Sequence, residues 1–233
     1  VILLPFSAAL EKLACLTIKE EGKGAVRPDT GAGRIPILDP RFLSTPGFAL
    51  EQCMTAASDM ADYAREALFT AMGLVFRYEE EEAQKVVRLE ETVDHYEDEL
   101  GTYLVKLGSG NLSERDSHTL SFLLHNIGDL ERISDHALNV KEAAQRRKEK
   151  KLDFSHKASK ELAVFTEAVK EVMDLALCVF RQGDVQLAKG IEPLEETVDY
   201  LHTELKRRHV ERLRRGECMI ETGFILADIT TSY

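Results

Sequence analysis

Apolar residues fall at Leu50, Cys53, Ala57, Met60, Ala64, Leu68, Met72 and Val75. Steps of three and four are the spacing of a helical stripe turned toward a core, and they predict a first helix that begins after the turn at 44–47. A polar patch at 77–82 interrupts the pattern. It resumes at Val86, Leu89, Val93, Tyr96, Leu100, Tyr103 and Leu107, a second helix that Gly108 and Gly110 should stop. Ser113, with Asp116 three residues on, has the form of a cap for a third helix carrying Leu120, Leu123, Ile127, Leu130, Ser134 and Ala137 toward Lys151. A fourth stripe runs through Leu162, Phe165, Val169, Val172, Ala176 and Val179, and Gly183 and Asp184 punctuate it. A fifth carries Leu187, Ile191, Leu194, Val198, Leu201 and Leu205 with Pro193 inside it, where a kink or bulge is expected. Gly216 ends that helix, and MIETGFILADITTSY starts a sixth. The stretch at 20–46, rich in Gly and Pro, reads as a linker.

The order repeats. RLEETVDHYEDEL at 88–100 returns as PLEETVDYLHTEL at 193–205, and VFR at 75–77 returns at 179–181. An internal duplication accounts for both. The expected fold is all-α: two tandem three-helix bundles, with 1–46 as leading segment and linker, 47–152 as the first bundle and 153–233 as the second. Tyr233 aligns with Leu130, so the second bundle should be truncated at its last helix. That would leave the apolar faces at Val169, Val172, Leu201 and Leu205 without a complete cover. Because the chain opens on Val1 and the sixth helix is still running at Tyr233, a piece of a longer protein is expected.

With 41 acidic and 30 basic residues the net charge is −11, which disfavours nucleic acid as a partner. Two basic runs stand out, RRKEKK at 146–151 and KRRHVERLRR at 206–215, both at expected helix C-termini. There they complement the helix dipole, and on a tethered domain they could touch anionic lipid. No aromatic residues interleave them, as single-strand binding would need. Cys15, Cys53, Cys178 and Cys218 have no CxxC spacing, which argues against a zinc knuckle or disulfide framework and for a reduced compartment. No apolar run reaches 18 residues.

The repeated phrase carries the candidate chemistry. Glu90 and Asp94 are four apart, one turn above each other beside the apolar stripe. DLERISDHALNV at 129–140 supplies a second such pair, Glu131 and Asp135, and the second repeat supplies Glu195 and Asp199. Packed helices can bring the first two pairs face to face, and four converging carboxylates repel unless a cation sits among them. A single Glu and Asp at this spacing is commonly a solvated helix face. Arg132 is an alternative neutralising partner. A ferritin-like redox site would need E-x-x-H on two helices, and only Asp199 to His202 comes close. No nucleophilic triad or phosphate-cradling loop is present, so no catalysis is expected. A helical adaptor whose carboxylates merely decorate the surface is the other rival.

LEETVD with DLERISDH, set in two three-helix repeats, resembles the PhoU family over residues 47–233. The resemblance implies bundles that bind multinuclear iron or other metal clusters through paired E(D)xxxD motifs, carried over onto Glu90, Asp94, Glu131, Asp135, Glu195 and Asp199. Glu91, Glu196, Asp129 and Asn139 could add oxygen ligands, while His136 lies on a solvated face. The fourth motif would begin after Tyr233, so the second site is half present. Oxygen ligands alone suit magnesium, calcium or manganese; the resemblance favours iron or zinc.

More narrowly, LDPRFLSTPGFALEQC at 38–53, after the opening VILLPF, resembles the C-terminal cytoplasmic part of bacterial sodium-dependent phosphate cotransporters. That implies a regulatory domain at the cytoplasmic face of the cell membrane, attached to the transporter region of its own polypeptide, with VILLPF leaving the last membrane segment. A homo-oligomer and contact with an anionic membrane are further expectations. A free-standing PhoU-type regulator is the alternative.

Overall fold

The structure, a computed structural model, describes residues 38–233. Cys15, the VILLPF opening and the linker up to residue 37 lie outside them. Every helix longer than one turn among the described residues follows a stripe read above. They are α1 (Pro46–Phe76), α2 (Glu80–Gly108), α3 (Glu114–Glu149), α4 (His156–Gln182), α5 (Val185–Ala188), α6 (Ile191–Arg214) and α7 (Ile220–Ser232). A short 3-10 helix, Pro40–Ser44, precedes them, so the last part of the expected linker is ordered into a turn.

Local chemistry sets the boundaries. Pro46 opens α1, where its missing N–H costs nothing. Glu80, Glu81 and Glu82 lie at the positive N-terminus of α2. Ser113 caps α3 by accepting from the Asp116 N–H at 3.1 Å, and Ser155 caps α4 by accepting from Ala158 at 3.2 Å. Gly183 closes α4 at φ 62°, a left-handed turn that glycine adopts without strain. The expected kink at Pro193 is instead a full break. Leu187 belongs to the single turn α5, and the chain restarts at Ile191 with Pro193 inside the first turn of α6, where it breaks no hydrogen bond.

Helix α1 is the spine. Ala49, Ala57, Ala61, Ala64, Ala67 and Ala71 are fully buried, and this seam of methyl groups lets α2 and α3 lie close against it. Around one half of the spine pack Val93, Tyr96, Leu100, Leu104, Leu123 and Ile127, with Met173 and Leu177 of α4. Around the other half, Val86, Val140 and Ala144 meet Leu162, Phe165, Val169, Leu205, Ile225 and Ile229. Both clusters draw on both repeats. Two ion pairs, Arg65 with Asp174 and Arg181 with Asp62, reinforce the α1–α4 contact.

Helix α6 packs chiefly on α4, and α7 chiefly on α3. The exposure expected at Val169 and Leu205 is therefore absent: both are buried, while Val172 and Leu201 are half-buried. Across the 105-residue offset of the duplicated phrase, Leu100 of α2 matches Leu205 of α6. Leu104 and Leu107, both buried, match His209 and Arg212, which are also buried. Arg212 donates to Glu161 of α4 at 2.7 Å, but its Nε and Nη2 and the Nε2 of His209 meet no partner among the described residues.

Candidate metal centre

The core-facing residues of α2 and α3 decide where the acidic phrase points. In α2, Val93, Tyr96 and Leu100 face inward, leaving Glu90 at the border, half-buried, and Asp94 exposed. In α3, Leu130, Ser134 and Ala137 are buried. The Ser134 hydroxyl donates to the Glu131 carbonyl at 2.7 Å, which satisfies it inside the helix. Glu131 is half-buried and Asp135 exposed.

The electrostatics tie the two pairs together. Partial burial holds the Glu90 carboxyl above the ordinary range, and the charges of Asp94, Asp135, Glu91 and Glu131 add to the effect. Burial also raises Glu131, helped by the charge and close approach of the Asp135 side chain and by the charges of Glu97 and Asp94. The four predicted carboxylates thus sense one another across α2 and α3. None forms an ion pair among the described residues. Arg132, weighed above as a neutralising partner, lies 3.8 Å from Asp129 instead, and Lys85 pairs with Glu66. The cluster thus has no ion-pairing partner among the described residues.

As placed, no three His, Cys, Asp or Glu side chains among the described residues stand close enough to share a metal ion. The donor set nevertheless suits a hard cation: all oxygen, half solvated, on rigid helices. Glu97 was not among the predicted residues, although it follows Glu90 and Asp94 on the same helical face. Of the further oxygen donors weighed, Glu91 acts on Glu90, Asp129 is engaged by Arg132, and Glu196 and Asn139 are exposed, as is His136.

The second pair has different company. Glu195 and Asp199 are exposed and line an open cleft with Phe165, Val169, Val198, His202 and Tyr233. The Phe165 ring stacks on both His202 and Tyr233, with centroids 5.8 and 5.6 Å apart. Burial, then the charge of Lys206, lowers the His202 pKa, against the pull of Asp199. No acidic helix among the described residues faces this pair. The register exposes the difference: His202 stands where the first repeat has Glu97.

A family model described as the PhoU domain matches residues 57–144. A relative from Escherichia coli K12, named putative inorganic phosphate export protein YjbB, is 24% identical over 226 residues, which is 95% of this chain and 40% of that protein. The chain thus spans well under half the length of that relative. The PhoU homolog of the phosphate-specific transport system from Aquifex aeolicus, an accessory protein, is 26% identical over 159 residues, covering 68% of this chain and 71% of its own. No solved structure matches. The PhoU domain match runs from within α1 to within α3 and takes in four of the six predicted carboxylates: Glu90, Asp94, Glu131 and Asp135.

Proposed function

We propose that this chain is a PhoU-like regulatory domain of phosphate transport whose α2–α3 surface binds a metal ion or cluster. The observation that carries the reading is that Glu90 and Glu131, on facing helices, have their carboxyls raised in part by the charges of Asp94 and Asp135, and none of the four forms an ion pair among the described residues. Like charges set side by side in this way favour a cation that relieves their repulsion. The family resemblance and the relatives' names supply the phosphate context. When bound, the metal would neutralise the surface and tie α2 to α3. Glu195 and Asp199 are a second, weaker half-site, and no catalytic step is assigned.

Elemental analysis of protein purified after growth with added iron, zinc, manganese or magnesium tests this. Wild type should retain metal, and Glu131→Gln with Asp135→Asn should lose most of it. A metal-free wild type under all four supplements overturns the reading.

The finer assignment is to the cytoplasmic domain of a sodium-dependent phosphate cotransporter. In its support, nearly all of this chain aligns with less than half of the export protein. A free-standing regulator is the second reading, favoured by the alignment across 71% of the accessory protein. The coding sequence upstream of Val1 separates them: several membrane-spanning segments there support attachment, and their lack supports the free-standing form.

A further inference from the structure

Four helix termini meet at one end of the bundle. Arg208 and Arg212, near the end of α6, reach Glu161 near the start of α4. Arg146 in the last turn of α3 pairs with Asp228 of α7 at 2.8 Å. Gly223, in the opening turns of α7, lies so close to the His209 ring that an added Cβ would come within 2.5 Å of Nε2. Helices α3 and α6 therefore end, and α4 and α7 begin, at the same place. The α1–α2 turn lies there too: Arg147 donates to the Val75 carbonyl at 2.8 Å, and the Lys148 ammonium sits over the Tyr78 ring.

This topology joins the two basic runs that stand far apart in sequence. Residues 146–161 hold seven basic and three acidic side chains, and residues 206–221 hold six and three. The α1–α2 turn, 77–85, offsets this with two basic and four acidic. The end as a whole is positive in a chain of net charge −11. Helix dipoles account for cations at the C-termini of α3 and α6, but not for Lys157 and Lys160 in the opening turns of α4, where positive charge is disfavoured. Lys150, Lys151, Lys157, Lys160, Arg214 and Arg215 take part in no ion pair among the described residues.

Beside these cations the turn into α7 bares apolar side chains. Met219, Ile220 and Phe224 are 54%, 65% and 67% exposed. Ile220 and Phe224 are four apart, on one face of α7. Their counterparts at the start of α3, taking Tyr233 against Leu130, are Ser117 and Ser121. The apolar face is thus particular to the second repeat, at the end where the unpaired cations gather.

We propose that this end of the bundle docks on an anionic lipid bilayer, with the Lys and Arg side chains against the headgroups and Met219, Ile220 and Phe224 entering the boundary with the acyl chains. Lipid suits the pattern better than nucleic acid, because a phosphate backbone offers nothing to Ile220 or Met219. The proposal stands apart from the metal reading and concerns no residue of the carboxylate surface.

Sedimentation of the full 233-residue chain with vesicles tests it. The expected result at low salt is at least tenfold tighter binding to phosphatidylglycerol-containing vesicles than to pure phosphatidylcholine. Each basic residue near such a surface strengthens attachment about fivefold, so Arg214→Glu with Arg215→Glu should weaken it about twenty-five-fold or more. Ile220→Ser with Phe224→Ser, at exposed positions that leave the core intact, should remove the part of the binding that survives high salt. Equal binding to both vesicle types, or either double variant binding like wild type, overturns the proposal. So does duplex DNA competing the vesicles off while Ile220→Ser with Phe224→Ser changes nothing, which would assign the patch to nucleic acid.

Discussion

Helices α2 and α6 carry the same phrase, LEETVD, in two different settings. Helix α2 packs on both α1 and α3 and buries Ala83, Val86, Thr92, Val93, Tyr96, Leu100, Tyr103, Leu104 and Leu107. Helix α6 buries only Leu205, His209 and Arg212. The difference teaches that the acidic phrase does not cluster charge by itself: a second acidic helix must face it. Where α3 does so, Glu90 and Glu131 are held partly out of water and repel their neighbours. Where α4, Thr230 and the Tyr233 ring stand opposite, Glu195 and Asp199 stay solvated.

The largest test of this contrast is core truncation. Leu104→Ala should cost about 4 kcal/mol, since Leu104 is fully enclosed by its neighbours. Leu205→Ala should cost about 2 kcal/mol, because α6 is covered on fewer sides and can settle into the gap. Chemical denaturation measures both, and equal losses would break the contrast. Hydrogen exchange should likewise find 160–215 less protected than 50–145.

Next in size is the polar latch that replaces leucine in the second repeat. Glu161→Gln leaves Arg212, which is 6% exposed, without its counter-charge. The expected loss is about 3 kcal/mol, the range for breaking one side of a buried pair. If Glu161→Gln and Glu161→Leu prove equally mild, the latch contributes shape and not charge.

The smallest effect is electrostatic relief at the carboxylate surface. The pKa values of Glu90 and Glu131 are raised on folding, so the stability they contribute is fully present below their ordinary value and lost as pH climbs through the raised values. Glu131→Gln should therefore stabilise the metal-free protein at pH 7 by about 0.5 kcal/mol, the scale of like-charge pairs along a helix. The gain should vanish near pH 4. Destabilisation by the same substitution at pH 7 would mean that Glu131 is paired in solution by a group the structure leaves distant from it.

The long helices, and the place of Glu90 and Glu131 at the border of their buried stripes, were legible in the sequence because both rest on one regular spacing. Apolar steps of three and four place the stripe, and acids on its border follow the stripe to the neighbouring helix. The break at 189–190 was not legible, because Leu187 and Ile191 keep the helical spacing across it. Nor was the packing of α7 on α3, since periodicity says which face is buried and not against what. His209 and Arg212 were hidden by their polarity. A register comparison carried beyond LEETVD, setting Leu104 against His209, Leu107 against Arg212 and Glu97 against His202, is the signal that finds them.

The alanine seam of α1 has a metrical consequence. Six fully buried methyl groups sit between the spine and the two helices that carry the acids, so the spacing of α2 and α3 is set partly by residues on neither helix. The seam behaves as a caliper. A single added carbon at Ala64 would wedge the helices apart and re-space Glu90 against Glu131 from a distance. The spacing of the two acidic helices would then depend on the plainest side chain of the chain.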